Sequence, residues 1–189
     1  MAGIIGIDAI IKTGALEASY SGGGDAITFI IVDGYNVIGI SHGDLAKQRE
    51  NLVRLLAEYR KAKGHSIIVV FDGWKSGCRQ EETISTAGIK IIYSRLGEKA
   101  DSVIKRIVSA EKREWVVISS DREIAAHAWS QGSVPVASEK FLTLLENTGT
   151  TFSGEYDLWD EDPVNVPKKG SSRTASKKEK ALLRILGKL

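Results

Sequence analysis

Between residues 27 and 120 three compact apolar runs recur, and each stops at or near an aspartate. Residues 28–32 run into Asp33-Gly34, residues 67–71 into Asp72-Gly73, and residues 115–118 into Ser119-Ser120-Asp121. Their apolar positions do not alternate with polar ones, so each is expected to be a strand buried on both faces. Residues 89–93 form another strand, and 134–137 a short fifth. Between them the hydrophobic period changes to that of a helix. Over 44–63, Leu45, Leu52, Leu55, Leu56 and Tyr59 mark one face, while Arg49, Glu50, Arg54, Glu58 and Arg60 lie mainly off it. Asp44 fits the N-cap and Gly64 the stop. A second helix, 99–112, turns Ala100, Val103, Ile104, Ile107 and Val108 to the core. A third spans 122–131 and is closed by Gly132, and Ser138 is expected to cap a last core helix over 139–146. The polar, Gly-containing stretch 73–88 reads as a loop.

Strands alternating with helices at this spacing predict an α/β domain with a parallel sheet flanked by helices. Right-handed crossovers then bring the strand C-termini to one edge. Residues 1–26 differ in character and end in Gly22-Gly23-Gly24, a flexible joint, so they are set apart as an N-terminal extension. The domain runs over 27–149. Residues 150–189 begin with an acidic stretch (Glu155, Asp157, Asp160, Glu161 and Asp162, with Tyr156 and Trp159) and turn basic from Lys168. Within that tail Ser176 and Glu179 have capping-box spacing, and Leu182, Leu183 and Leu186 follow at helical intervals, which predicts a short basic amphipathic helix. That helix could bind RNA, lie on a membrane surface, or pack on the acidic stretch of its own chain.

The bulk numbers narrow the classes. A chain of 189 residues holds one α/β domain plus appendages, and 42% apolar with 26% charged residues is ordinary for a globular protein. The net charge of +2 alone implies no nucleic-acid partner. One cysteine, Cys78, excludes a disulfide framework, and His42, His65 and His127 show no ligand spacing. No run approaches membrane-spanning length and the N-terminus lacks a basic signal region, so a cytoplasmic location is expected.

The candidate chemistry is in the carboxylates. Asp33, Asp72 and Asp121 close strands whose ends lie side by side, where ligands of such folds bind. Asp101 joins them at or just inside the start of the 99–112 helix, with Glu98 a turn earlier as a supporting acid. Like charges so gathered repel, and a divalent cation with hard oxygen ligands is the simplest compensation. Taken singly, each aspartate fits a helix cap or turn equally well; four at one edge favour a site. Such a cation would serve attack by water at phosphorus without a histidine, cysteine or serine nucleophile.

Asp33-Gly34-Tyr35-Asn36 after a buried strand resembles the signature of NYN domains, a branch of the PIN-like nucleases. Arg49 with Leu52 resembles the first-helix pattern of the bacterial YacP-like subgroup, and Val70-Phe71-Asp72-Gly73, Gly97-Glu98-Lys99-Ala100-Asp101 and Ser119-Ser120-Asp121 are similar to its later motifs, in the same order. The resemblance covers about residues 27–147. It implies a PIN-like three-layer fold with a central, mostly parallel sheet of four to five strands, and a Mg²⁺- or Mn²⁺-dependent ribonuclease. By position, Asp33, Asp101 and Asp121 become metal ligands, Asp72 a ligand or supporting acid, and Asn36 a group that places the scissile phosphate or a water. Ser120 adds a candidate hydroxyl contact. Messenger or ribosome-linked RNA is the substrate the resemblance suggests.

An enzyme of RNA must also hold it. Lys75 and Arg79 after Asp72, Arg95 and Lys99 before Asp101, and Arg49 on the first helix are candidate phosphate contacts, and Trp74 a stacking platform or a hydrophobic plug. The main expectation is an endoribonuclease for single-stranded RNA; the alternative is a catalytically silent RNA-binding module, for which acids facing phosphate bring no gain. A nucleotide-binding protein or phosphatase is disfavoured because no GxxxxGK[ST] or GxGxxG loop follows the first strand.

Overall fold

The computed structural model describes residues 27–39, 44–73, 79–147 and 176–189. Trp74, Lys75, the 1–26 extension and the acidic 155–162 stretch lie outside the described residues. Among the described residues six strands form one sheet: β1 (Phe29–Asp33), β2 (Ser66–Phe71), β3 (Glu82–Thr86), β4 (Ile89–Tyr93), β5 (Trp115–Ile118) and β6 (Val134–Val136). Their order is β3-β4-β2-β1-β5-β6. Every neighbouring pair is parallel except β3 with β4.

The sheet therefore has six strands rather than the expected four to five. β3 occupies part of the stretch expected to be a loop. Its only large apolar residue is Ile84, so no hydrophobic run announces it. It forms because it is tethered to β4 by Ala87-Gly88, whose φ angles are +49° and +79°. Two positive φ values in a two-residue connection suit the right-handed twist of a hairpin.

The helices are α1 (Gly34–Ile38), α2 (Leu45–Lys63), α3 (Ala100–Ala110), α4 (Arg122–Ser130), α5 (Ser138–Asn147) and α6 (Lys177–Leu186). Alternate strand residues divide into two cores, as a period of two requires. Ile30, Val32, Ile67, Val69, Phe71, Val116 and Ile118 face α1, α2, α5 and α6. Ile31, Ile68, Val70, Ile92 and Val117 face α3 and α4. This is the three-layer arrangement the apolar runs demand, since a strand covered on both sides has no wet face.

Cap chemistry sets the helix ends. Asp44 accepts the amides of Ala46 at 2.9 Å and Lys47 at 3.3 Å, and Gly64 closes α2 by donating to Arg60. α5 departs from the expectation: it begins at Ser138 itself, and the Ser138 hydroxyl donates to Asn36 instead of capping. The basic helix α6 has both bonds of the capping box at Ser176. It docks on the domain. Ile185 and Leu189 are buried in the first core, with Ala181, Leu182 and Leu186 against it, whereas Leu183 is 66% exposed. The buried stripe is thus 182, 185, 186 and 189, one step round the helix from the leucines alone.

α6 crosses the N-terminal edge of the sheet. Lys178 lies over the Trp129 ring near the end of α4, Arg184 pairs with Glu114 just before β5, and the Lys188 carbonyl meets His65 just before β2. The Tyr59 hydroxyl donates to the Leu189 carbonyl at 2.8 Å. Among the described residues no helix is long and apolar enough to cross a membrane.

Candidate active site

β1 and β5 are neighbours whose chains leave in opposite directions. From β1 the chain passes through α1 and α2 to β2; from β5 it passes through α4, on the other face, to β6. In an open parallel sheet this divergence leaves a crevice beyond the strand C-termini. Asp33 and Asn36 stand on one side of it and Ser119, Ser120 and Asp121 on the other.

The four residues of the 33–36 motif have separate structural duties. Asp33 caps α1, accepting the Asn36 amide at 3.3 Å. Gly34 packs beneath Phe71: an added Cβ would lie 2.1 Å from a ring carbon. Tyr35 sets its ring edge-on to Phe71, with centroids 5.3 Å apart, and its hydroxyl accepts from Arg49 at 2.8 Å. Asn36 ties two distant segments together, its amide oxygen accepting from the Ser120 backbone N–H at 2.7 Å and the Ser138 hydroxyl at 2.6 Å. A backbone N–H can only donate, so the side-chain amide is oriented, and what Asn36 offers a ligand is its N–H pair.

Asp33 is 7% exposed and also accepts the Ser119 hydroxyl at 3.2 Å. Burial pushes its pKa from 3.8 up to about 6; the two hydrogen bonds pull the other way, and the charges of Asp101 and Asp72 add to the rise. Asp33, at the end of β1, thus feels the charges of Asp72 after β2 and Asp101 in the first turn of α3, an influence smaller than that of its burial. Asp72 reaches across to accept the Ala100 amide at 2.7 Å, which fixes the start of α3 and so the position of Asp101. Asp101 itself is half-buried in that first turn. Asp121 caps α4, one oxygen accepting from Glu123 at 2.7 Å and Ile124 at 3.0 Å.

Three of the four aspartates therefore also act as caps. Among the described residues no three His, Cys, Asp or Glu side chains are gathered closely enough to hold one ion between them. The donor chemistry nonetheless suits a hard cation: the acids are carboxylates, Asp33 among them buried, and Mg²⁺ retains most of its waters and needs only one or two protein carboxylates.

The remaining candidates divide. Glu98 is turned away from the acids into ion pairs with Arg95 at 3.2 Å and Arg106 at 3.1 Å, and Arg106 also pairs with Glu81. Arg95 and Lys99 are exposed on the approach to α3, and Arg79 is exposed before β3. Arg49 is held by Tyr35 and lines a groove of about 820 Å³ between α2 and the β3–β4 hairpin, which none of the four aspartates lines. The Ser120 hydroxyl is engaged: it donates to Glu139 at 2.7 Å and accepts the Ser138 amide at 3.0 Å.

Sequence reasoning misses the roles of the buried serines that order this edge: it takes Ser138 for a helix cap, quotes Ser119 only within a motif and does not name Ser94. Ser119 holds Asp33. Ser138 holds Asn36. Ser94, fully buried, accepts the Gly73 amide at 3.0 Å and donates to the Glu98 carbonyl at 2.6 Å, joining the loop after β2 to the turn before α3. Their signal is positional: Ser94 and Ser119 immediately follow a strand, and Ser138 comes two residues after one.

A family model described as the YacP-like NYN domain matches residues 30–183. The chain belongs to the YacP-like NYN domain family. The match extends into α6, in keeping with the docking of that helix on the domain. A curated relative, the uncharacterized protein YacP of Bacillus subtilis (strain 168), is 29% identical over 128 residues, covering 62% of this chain and 74% of its own. Two crystal structures of Rae1 (YacP) from Bacillus subtilis share the fold. One, of a point mutant, has a TM-score of 0.55 at 23% identity over 65% of this chain and 77% of that one; the other has 0.53 at 24% over 65% and 76%. Membership of the NYN family places this chain among nucleases.

Proposed function

We propose that this YacP-like domain is a Mg²⁺- or Mn²⁺-dependent endoribonuclease of single-stranded RNA. The observation that carries the reading is the buried carboxylate of Asp33 at the strand ends where the chain diverges, with Asp72 fixing the first turn of α3 that bears Asp101. One or two of Asp33, Asp72, Asp101 and Asp121 would hold the cation directly, and the others would act through its waters. When bound, the cation supplies Lewis-acid activation and charge neutralisation for hydrolysis at phosphorus.

The chain's own groups do the rest. Burial of Asp33 makes its unpaired charge costly, which favours a cation there over water. The Asn36 N–H pair is suited to donate to a phosphate oxygen, since its amide oxygen is already engaged. Lys99 and Arg95 flank the entrance to α3 and can neutralise neighbouring phosphates. Attack by water in line with the 3′ leaving oxygen leaves a 5′-phosphate and a 3′-hydroxyl. Messenger or ribosome-associated RNA is the proposed substrate.

A second reading, a catalytically silent RNA-binding module, is favoured by the capping bonds of Asp72 and Asp121. The two are separated by Asp101→Asn. No hydrogen bond engages Asp101 among the described residues, so the substitution removes charge without removing a cap. Wild type is expected to cleave a labelled single-stranded RNA with Mn²⁺ or Mg²⁺ and to stop in EDTA, and the variant to be inactive with an unchanged melting curve. Undiminished cleavage by the variant, or cleavage in EDTA, overturns the proposal; no cleavage by wild type favours the silent module.

A further inference from the structure

The edge opposite the carboxylates is basic. α6 runs along the N-terminal ends of the strands, and exposed lysines collect there from three segments: Lys61 and Lys63 at the end of α2, Lys112 between α3 and β5, and Lys177, Lys180 and Lys188 in or just after α6. None of these six is in an ion pair among the described residues. Two arginines of this edge are paired, Arg184 with Glu114 and Arg113 with Glu111, which neutralises those two acids; Glu179 of α6 accepts the Ser176 amide in the capping box. The acidic candidate site and this basic edge lie at the two ends of the same strands. A five-residue strand spans roughly 17 Å, so the two are separated by at least about that distance.

We propose that this basic edge is a second RNA-docking surface, one that grips the phosphate backbone of a folded, duplex-containing RNA while the single-stranded part reaches the carboxylates. The proposal rests on the reading of the chain as an enzyme of RNA. Lysines are point charges suited to phosphate, and no exposed aromatic ring of α6 stands among them to stack on bases, so the surface reads backbone and tolerates paired RNA. A membrane surface fits less well. An interfacial helix needs a free apolar face, and that of α6 is committed to the core through Leu182, Ile185 and Leu186, leaving Leu183 alone exposed. Lys177, Lys178, Lys180 and Arg184 are thus held on a docked helix, away from the cut.

The test uses the full chain in EDTA, so that nothing is cleaved, and a blunt RNA hairpin without single-stranded extension as the probe. Two variants, K61Q/K63Q/K112Q and K177Q/K180Q/K188Q, are compared with wild type by fluorescence anisotropy over a range of salt, with circular dichroism confirming that each is folded. Each variant is expected to lose at least ~10-fold in hairpin affinity, with a salt dependence shallower by roughly 0.9 for every phosphate contact removed. Cleavage of a short unstructured oligonucleotide is expected to be unchanged in both. Equal hairpin affinity in wild type and both variants overturns the proposal, as does capture of wild type by phosphatidylglycerol vesicles with no hairpin binding. Hairpin binding through these lysines in a protein that never cleaves single-stranded RNA would remove the nuclease reading and leave this surface standing, so the two failures are distinct.

Discussion

Replacing Asp33 by asparagine removes a charge that the fold carries at a cost, and the cost has a pH signature. The folded carboxyl titrates near 6 against an ordinary 3.8. The folded state therefore holds the proton more tightly than the unfolded one. Below about 3.8 the group is protonated in both states and costs nothing; the penalty grows between 3.8 and about 6 and is constant above that. At about 1.4 kcal/mol per pKa unit the full penalty is about 3 kcal/mol. Asparagine keeps one acceptor oxygen, which the Asn36 amide takes, and turns its NH2 to the Ser119 hydroxyl, which must then accept rather than donate; that change subtracts roughly 1 kcal/mol. With EDTA present, the asparagine variant is expected to be more stable than wild type by about 1–3 kcal/mol near pH 7.5, and the gap to close near pH 4. Urea unfolding of both proteins at the two pH values measures it, and taking the difference cancels the other titrating groups. Adding Mg²⁺ at the higher pH should stabilise wild type and leave the variant unmoved. A gap that is the same at both pH values, or a wild type more stable by over about 1 kcal/mol near pH 7.5, refutes the assignment of a costly buried charge.

Two further outcomes follow from packing. Gly34→Ala drives a Cβ into the Phe71 ring and is expected to cost about 1–3 kcal/mol in urea unfolding, with part regained when Phe71→Leu is added; additive losses in the double variant would show that the ring is not the obstacle. Ile185→Ala should cost about 2–4 kcal/mol although it lies in a region that resembles a surface tail by composition, and a loss under about 0.5 kcal/mol would show that α6 is only loosely attached.

The apolar strands were legible in the sequence because helices cover both sides of the sheet, which leaves no polar alternation to confuse the pattern. β3 was not, because one isoleucine and a row of hydroxyl residues look like a loop until β4 supplies a hydrogen-bonding partner. The aspartates were legible as strand-end acids, yet their bonds were not. Asp72 holds the amide of a residue 28 positions away, and Asn36 holds partners 84 and 102 positions away. Contacts at such separations leave no local periodicity. The same holds for α6: its cap is written in Ser176 and Glu179, whereas the phase that buries Ile185 and exposes Leu183 is set by the core it meets.

The docking of α6 also bears on the order in which the molecule matures. Tyr59 waits for a carbonyl 130 residues further along the chain, and the first core stays uncovered at that point until the partner segment arrives. Closing so wide a loop is slow compared with the pairing of β3 with β4 or the winding of α2. A nascent domain thus passes through a stage in which an apolar strip beside β6 and the end of α2 is open to water. Apolar surface exposed in that interval favours self-association.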